Sequence, residues 1–170
     1  MISNSTVAYY HHDHYRCSNA ALQKAKSLCK TRNLRLTPIR ESVLQLIWQS
    51  HRPLGAYKII EQLSLVRGKR VLPPTVYRAL DFLREVGLIH RLATLNAYIG
   101  CPFPDSAHSD FFLVCRVCGS VAECSTDALN KTIQTTANRA GFVVEGQTVE
   151  VVGLCSPCQK KVNEETEGNT

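Results

Sequence analysis

Apolar side chains recur at helical spacing throughout the first half of the chain. In four separate stretches they lie three or four positions apart, which places them on one face of a helix. The predicted helices cover residues 19–32, the stretch from Pro38 to Trp48, residues 56–66, and a stretch that begins at Pro73 and is stopped by Gly87. Thr37 is the predicted N-cap of the second helix, because proline follows it at the first helical position.

The pattern changes directly behind the fourth helix. Residues 88–92 and 97–100 are two short, mainly apolar stretches joined by a turn at residues 94–96, which predicts a β-hairpin. Three or four short helices followed by a hairpin are typical of a winged helix-turn-helix domain. Pro102, Pro104 and Asp105 then interrupt the pattern and predict a hinge.

The second half of the chain predicts a smaller unit of mixed structure. Strands are expected at residues 111–115 and 121–124, and a helix at residues 126–140, with Gly141 as its cap. Residues 142–150 alternate as in a strand, and residues 151–154 remain apolar. The expected fold class is therefore α+β.

Charge divides the chain at the same place. Residues 1–101 contain 15 Lys/Arg and 5 Asp/Glu, whereas residues 102–170 contain 5 and 9, within a net charge of +6. A basic half indicates a polyanionic partner such as nucleic acid, although a solvated basic surface is equally compatible with charge alone. We see no secretory signal and no apolar run of the roughly 18–20 residues that a membrane helix needs, so we expect a cytoplasmic protein without a membrane partner.

Four of the eight cysteines form two closely spaced pairs. Cys115 and Cys118 make one C-x-x-C motif, and Cys155 and Cys158 make another. Two such pairs complete a tetrahedral four-thiolate site of the kind that zinc favours, with no open position, so its role should be structural. A pair of redox disulfides is the alternative, which is rare in the cytosol.

The fourth predicted helix has the features of a DNA-recognition helix. Its apolar face leaves Tyr77 and Arg78 on the other side. There Arg78 could bond a guanine, and Tyr77 could pack against a thymine methyl group or a phosphate. Cationic residues nearby could contact phosphates: Lys58, Lys69, Arg70 and Arg91. Helix periodicity alone is equally compatible with an ordinary surface helix.

A second set of metal-binding residue types is scattered along the chain. It consists of His90, Cys101, His108 and Glu123, which lie on both sides of the predicted hinge. Two imidazoles, a thiolate and a carboxylate suit tetrahedral zinc. Without further information, packing or surface roles explain four scattered residues better. The histidines of the N-terminal stretch, His11, His12 and His14, are interpreted as part of a solvated tail, with an accessory metal-binding arm as the alternative.

Three motifs together resemble the ferric uptake regulator family, and within it the zinc uptake regulators. They are Arg35-Leu-Thr-Pro-Ile-Arg40, the stretch Pro73-Pro-Thr-Val-Tyr-Arg-Ala-Leu-Asp-Phe-Leu83, and the two C-x-x-C pairs, the first followed by glycine. The resemblance covers residues 20–160. It implies a metal-loaded homodimer that binds double-stranded operator DNA and represses uptake genes, without a small-molecule substrate.

The resemblance also assigns domains and residues. It implies a flexible tail at residues 1–16, a winged-helix DNA-binding domain at 17–101, a hinge at 102–107, a dimerisation and metal-binding domain at 108–160, and a polar tail at 161–170. It implies two Zn²⁺ ions per chain: a structural ion at the four cysteines and a regulatory ion at His90, Cys101, His108 and Glu123. By position, Tyr57 and Arg78 match residues of the family that contact operator bases, and Tyr77 belongs to the same motif. Thr75, Lys69 and Arg70 are the further DNA contacts that we expect.

The sequence departs from the family pattern at two places, one of which bears on the metal and the other on assembly on DNA. The histidine-rich run typical of iron regulators is reduced to His108, which together with Cys101 favours zinc over iron. Ser64 stands where some zinc regulators carry a basic residue that pairs neighbouring dimers on DNA, so cooperation through that pair is not expected.

Three alternatives remain at this stage. The chain could respond to iron, nickel, manganese or peroxide, or it could be a constitutive DNA-binding or adaptor protein whose zinc is purely structural. An enzyme ranks last, because the sequence has no nucleophile motif and no phosphate-binding loop.

Overall fold

The computed structural model describes residues 14–49, 52–104, 110–124 and 127–167, without the side chains of residues 14, 15, 110 and 163–167. These residues divide into two compact units, residues 14–104 and residues 110–167. Most of the predicted tail at residues 1–16, and most of its histidines, lie outside the described residues. Every helix described is too short or too polar to cross a lipid bilayer.

The N-terminal unit contains four helices and a hairpin. Their bounds are α1 (His14–Thr31), α2 (Pro38–Ile47), α3 (Ala56–Arg67), α4 (Pro73–Glu85), β1 (Ile89–Leu92) and β2 (Ala97–Gly100). Helix α2 begins as predicted, with Thr37 at the N-cap and proline at the first position, although the threonine side chain makes no capping hydrogen bond. Gly68 ends α3 in the left-handed conformation, with φ +61°.

One apolar core joins these elements. Helix α4 contributes Val76, Leu80 and Leu83, each fully buried, and packs against α2, α3 and β1. Strands β1 and β2 are antiparallel, and Leu54, just before α3, pairs with Tyr98 through two backbone hydrogen bonds of 2.9 and 3.0 Å. These bonds connect the hairpin to the chain segment that precedes α3. Ile89 and Tyr98 of the hairpin also belong to the same apolar core as the helices.

The C-terminal unit is built on a three-stranded sheet with two helices. Its elements are β3 (Asp110–Cys115), β4 (Val121–Cys124), α5 (Asp127–Arg139), β5 (Thr148–Gly153) and α6 (Ser156–Glu167). The strand order is β4-β3-β5, in which β4 is antiparallel to β3 and β5 is parallel to it. Phe112, on the central strand, is fully buried.

The structure corrects three predicted boundaries. Helix α1 begins at His14, so the last residues of the predicted tail are helical, and the apolar repeat that marked its start sets in only later. Of the strand predicted at residues 142–150, only the part from Thr148 onward forms, as the start of β5. Phe142 and Val143 instead lie exposed in irregular chain. Helix α6 includes residues 161–167 of the predicted polar tail; its sequence is too polar to show an apolar face.

Candidate metal centres and nucleic-acid interface

The parallel pairing of β3 and β5 brings the two C-x-x-C motifs together. Cys115, the last residue of β3, lies opposite Gly153, the last residue of β5. Parallel strands end at the same edge of a sheet, so both cysteine pairs lie at that edge. Cys115 is opposite Gly153, and Cys155 follows only two residues after Gly153. Arg116 continues the pairing by donating its N–H to the Gly153 carbonyl at 3.0 Å.

The four sulfurs form one cluster. All of them lie within 4.8 Å of one another, and the Sγ atoms of Cys118 and Cys155 are 3.8 Å apart. Zn–S bonds of about 2.3 Å place the sulfurs of a tetrahedral site about 3.8 Å apart, whereas a disulfide needs about 2.05 Å. None of the cysteines is in a disulfide. The donor set and its spacing therefore fit zinc.

Backbone N–H groups surround this cluster. Gly119 has φ +72°, which lets the chain turn back so that its N–H bonds the Cys115 carbonyl at 2.9 Å. Burial acts to raise the pKa of Cys115, but N–H groups, including that of Cys155 at 3.4 Å, outweigh it and lower the pKa to about 6. The site is thus built to hold a thiolate.

Burial also acts to raise the pKa of Cys118, but hydrogen bonds from Ser120 outweigh it and lower that pKa as well. Cys155 and Cys158 do not share this preference for the thiolate. A hydrogen bond to Cys155 is the main factor that raises the pKa of Cys158 to about 12, and burial raises the pKa of Cys155 itself. Neighbouring thiolates repel one another, so four negative charges need a cation among them. A divalent ion at the centre removes that repulsion, which is the physical reason to expect metal here.

Two residues of the second predicted metal site meet within the N-terminal unit. His90 on β1 and Cys101, directly after β2, are 9% and 3% exposed, and they offer ligand atoms within 4.8 Å of each other. A histidine nitrogen and a cysteine sulfur bound to one tetrahedral zinc ion lie about 3.6 Å apart, so the two ligand atoms would have to approach each other by about 1 Å at most. These residues therefore form a buried pair suited to metal.

Backbone contacts hold Cys101 in place. Its N–H donates to the Leu88 carbonyl at 3.0 Å, and the Phe103 N–H donates to its Sγ at 3.4 Å. The Lys24 ammonium group on α1 donates to the carbonyl of Pro102 at 3.2 Å. An N–H donor stabilises a thiolate, which favours metal binding.

The other two predicted ligands belong to the second half of the chain. Glu123, on β4, is 5% exposed and lies opposite Phe112 in the sheet. Burying an ionised carboxylate costs free energy unless other groups compensate its charge, and a bound metal cation is one such group. His108 lies outside the described residues.

Helix α4 exposes the residues predicted to read DNA. Thr75, Tyr77 and Arg78 are all exposed near its beginning, while Val76 and Ala79 between and beside them are buried. One face thus anchors the helix and the other is available to a ligand. The sequence assigned these faces correctly because the apolar residues of this helix are unambiguous.

The other predicted DNA-contacting residues also lie on the surface. Tyr57 on α3 is 80% exposed, and Lys69 and Arg70 are exposed in the segment that joins α3 to α4. Ser64 fixes this segment, since its hydroxyl accepts the Val71 N–H at 2.9 Å and donates to the Ile60 carbonyl at 2.7 Å. This role cannot be predicted from the sequence, because serine in a helix is commonly a surface residue.

Comparison with known proteins agrees with these observations. The model of the ferric uptake regulator family matches residues 31–152. The chain is 36% identical over 138 residues to the zinc uptake regulation protein of Escherichia coli K12, covering 81% of this chain and 80% of that protein.

Solved structures give the same picture. A zinc uptake regulator complexed with zinc and DNA is 33% identical, with a TM-score of 0.81 over 86% of this chain and 97% of that one. The crystal structure of holo XcZur is 39% identical, with a TM-score of 0.76 over 84% and 99% of the two chains. From its matched residues, its helices and hairpin and its cysteine cluster, this chain is a member of the ferric uptake regulator family.

Proposed function

We propose that this protein is a zinc-responsive transcriptional repressor that binds operator DNA as a metal-loaded homodimer and controls genes of zinc homeostasis. The observation that carries the proposal is the buried pair of His90 and Cys101 beside a helix with an exposed DNA-reading face. Thiolate and imidazole are ligands that suit zinc. Similarity to the zinc uptake regulator complexed with zinc and DNA supports the same function.

Two zinc ions per chain are proposed, with different roles. Cys115, Cys118, Cys155 and Cys158 would hold a structural ion, which supplies positive charge among four thiolates. His90 and Cys101, with His108 and Glu123, would hold the regulatory ion. The first pair precedes residues 102–107 in the chain and the second pair follows them, so the proposed ligands come from both sides of the proposed hinge.

The C-terminal unit is the proposed dimerisation domain. Strand β5 is at the edge of its sheet and exposes Val151 and Val152, and the preceding segment exposes Phe142 and Val143 by 64% and 80%. Apolar side chains exposed together in this way are typical of a surface that another protein covers. A second copy of the chain is the proposed partner.

Operator recognition is assigned to α4. Arg78 and Tyr77 are proposed to contact base edges, with Thr75 beside them and Tyr57 on α3 as a further contact. Lys69 and Arg70, next to the start of α4, are proposed to contact phosphates, which position the protein without reading the sequence. Protonation of His90 or Cys101 competes with metal binding, so operator binding should weaken in acid.

The proposed mechanism is a shift between conformations. Without regulatory metal, the DNA-binding halves of the dimer sample several orientations about residues 102–107, and few of them match the operator. Ligands from both sides of this segment select the matching orientation when they share one ion. Operator DNA must then raise zinc affinity by the factor by which zinc raises DNA affinity.

Capture of sheared genomic DNA tests the proposal. Purified protein would be compared at buffered low zinc, at higher zinc, and with ferrous iron in the absence of oxygen, using Cys101→Ser as a matched variant. Recovery of specific promoters only with zinc, lost in Cys101→Ser, is the expected result. Recovery with iron alone would instead identify an iron regulator, and equal recovery in all conditions a constitutive DNA-binding protein.

A further inference from the structure

The indole of Trp48 packs directly over the backbone of Gly100. Trp48 is the C-cap residue of α2, and Gly100 is the last residue of β2. A methyl group built on the Gly100 Cα would lie 2.7 Å from Cζ2 of the indole and closer still to Cε2 and Nε1. Only a residue without a side chain leaves room for the ring.

This contact lies beside both candidate ligands of the N-terminal unit. Gly100 is adjacent to Cys101 in the chain, and it pairs with Ile89, which is adjacent to His90. A displacement of Gly100 relative to Ile89 would therefore shift the thiol and the imidazole relative to each other.

The Trp48 ring is partly buried against the apolar core, and its backbone is anchored at the end of α2. The backbone N–H of Trp48 donates to the Leu44 carbonyl at 3.1 Å, and Leu44 and Ile47, on the last turns of α2, are fully buried. Helix α2 packs against α4 as well as against β2. A ring on such a rigid support sets the position of the strand end that lies against it.

We propose that Trp48 is a positioning residue for the His90–Cys101 pair, and that it links this pair mechanically to α2 and α4. This inference rests on the proposed function, since it assumes that the pair binds zinc. The indole sets where β2 ends, and β2 sets where Cys101 stands. Metal ligands held in position by neighbouring groups bind more tightly than mobile ones, and loss of such support typically costs about 10–100-fold in affinity.

The test is a metal titration of the full chain with its four-cysteine site already loaded with zinc. The second site would be titrated with Zn²⁺ against a competing chelator, and with Co²⁺, whose thiolate-to-metal absorption reports on Cys101. Gly100→Ala should lower the affinity about 10-fold or more and weaken that absorption. Gly55→Ala is the matched control, because its methyl group would lie 4.0 Å from the nearest atom.

A double-mutant cycle keeps the test decisive even if Gly100→Ala alone does not fold. Trp48→Ala should weaken metal binding, and adding Gly100→Ala to it should cause no further loss, because the clash has gone. A further loss in the double variant, or unchanged affinity in Trp48→Ala, would overturn the inference. Absence of a second zinc in the unaltered protein would overturn the proposed function instead.

Discussion

Ser64 and Val71 are joined by a hydrogen bond of 2.9 Å that closes the segment between α3 and α4. The hydroxyl accepts from the Val71 N–H and donates to the carbonyl of Ile60 at 2.7 Å. One side chain thus satisfies a backbone donor in the segment that leads to α4 while staying bonded to its own helix. The residue that departs from the family pattern therefore has a structural role in this protein.

Removal of this hydroxyl should destabilise the N-terminal unit. Ser64→Ala leaves the Val71 N–H without its acceptor, which should cost about 1–2 kcal/mol of unfolding free energy. Denaturant unfolding followed by Trp48 fluorescence measures this. Ser42→Ala is the control, since that hydroxyl only donates to its own helix, to the Pro38 carbonyl at 2.8 Å. Equal losses in both variants would contradict the role given to Ser64.

The four-cysteine cluster should be necessary for the fold of the C-terminal unit. Cys118→Ser removes one thiolate from a set that holds β3 and β5 together at their ends, so the variant should lose its tightly bound zinc and the unit should unfold. Zinc content and proteolysis of the purified protein would be measured. Cys17→Ser, in the other unit and outside the cluster, should retain its zinc. A folded, zinc-containing Cys118→Ser would rule out the structural role.

Base-reading and phosphate-contacting residues should differ in how their loss affects DNA binding. Arg78→Ala should weaken operator binding by about 1–3 kcal/mol and relax sequence preference at one position. Lys69→Ala should weaken binding to all sequences alike and lower the slope of log affinity against log salt by about 1. Titrations of operator and scrambled DNA at several salt concentrations separate the two. Identical behaviour of the two variants would contradict the assignment.

Tyr98 should make the N-terminal unit sensitive to alkali. Burial raises the pKa of Tyr98 above its ordinary value of 10.0, because the phenolate is disfavoured beside the core. The unfolded chain then releases this proton at lower pH than the folded chain. The contribution of Tyr98 to the free energy of unfolding is therefore fully present below pH 10. It is lost as the pH rises through the pKa that Tyr98 has in the folded protein. Tyr98→Phe should flatten the alkaline limb of a stability-versus-pH curve; an unchanged limb would refute the prediction.

Much of this fold could be predicted because its elements carry strong local signals. Helix α4 has an apolar face that packing confirms, with Val76 and Leu80 inward and Arg78 outward. Strand β4 has the predicted bounds, and the C-x-x-C pairs meet as their spacing indicated. In these cases the residues that determine the local structure are also the ones that make the predicted contacts, so the sequence pattern is sufficient to predict both.

Other features depend on contacts between distant parts of the chain. Nothing local in Ser64, Trp48 or Gly100 indicates what each touches, because a serine in a helix and a glycine in a strand have many ordinary roles. Helix α6 was missed since its residues are polar, and it begins where the second cysteine pair is held. The parallel pairing of β5 with β3 was equally invisible, because strand direction is set by tertiary packing.

That parallel pairing has a consequence for how the chain folds during synthesis. The hairpin of β3 and β4 can form as soon as residue 124 is available, but the other partner of β3 begins at Thr148, and the last cysteine of the cluster is residue 158. Closing so long a loop costs conformational entropy before any contact repays it. The helical unit, whose helices and strands all precede Cys101, should therefore be complete before the third strand of the sheet has been synthesised. A ribosome stalled before Cys155 would carry a finished winged helix that could not yet assemble the metal cluster.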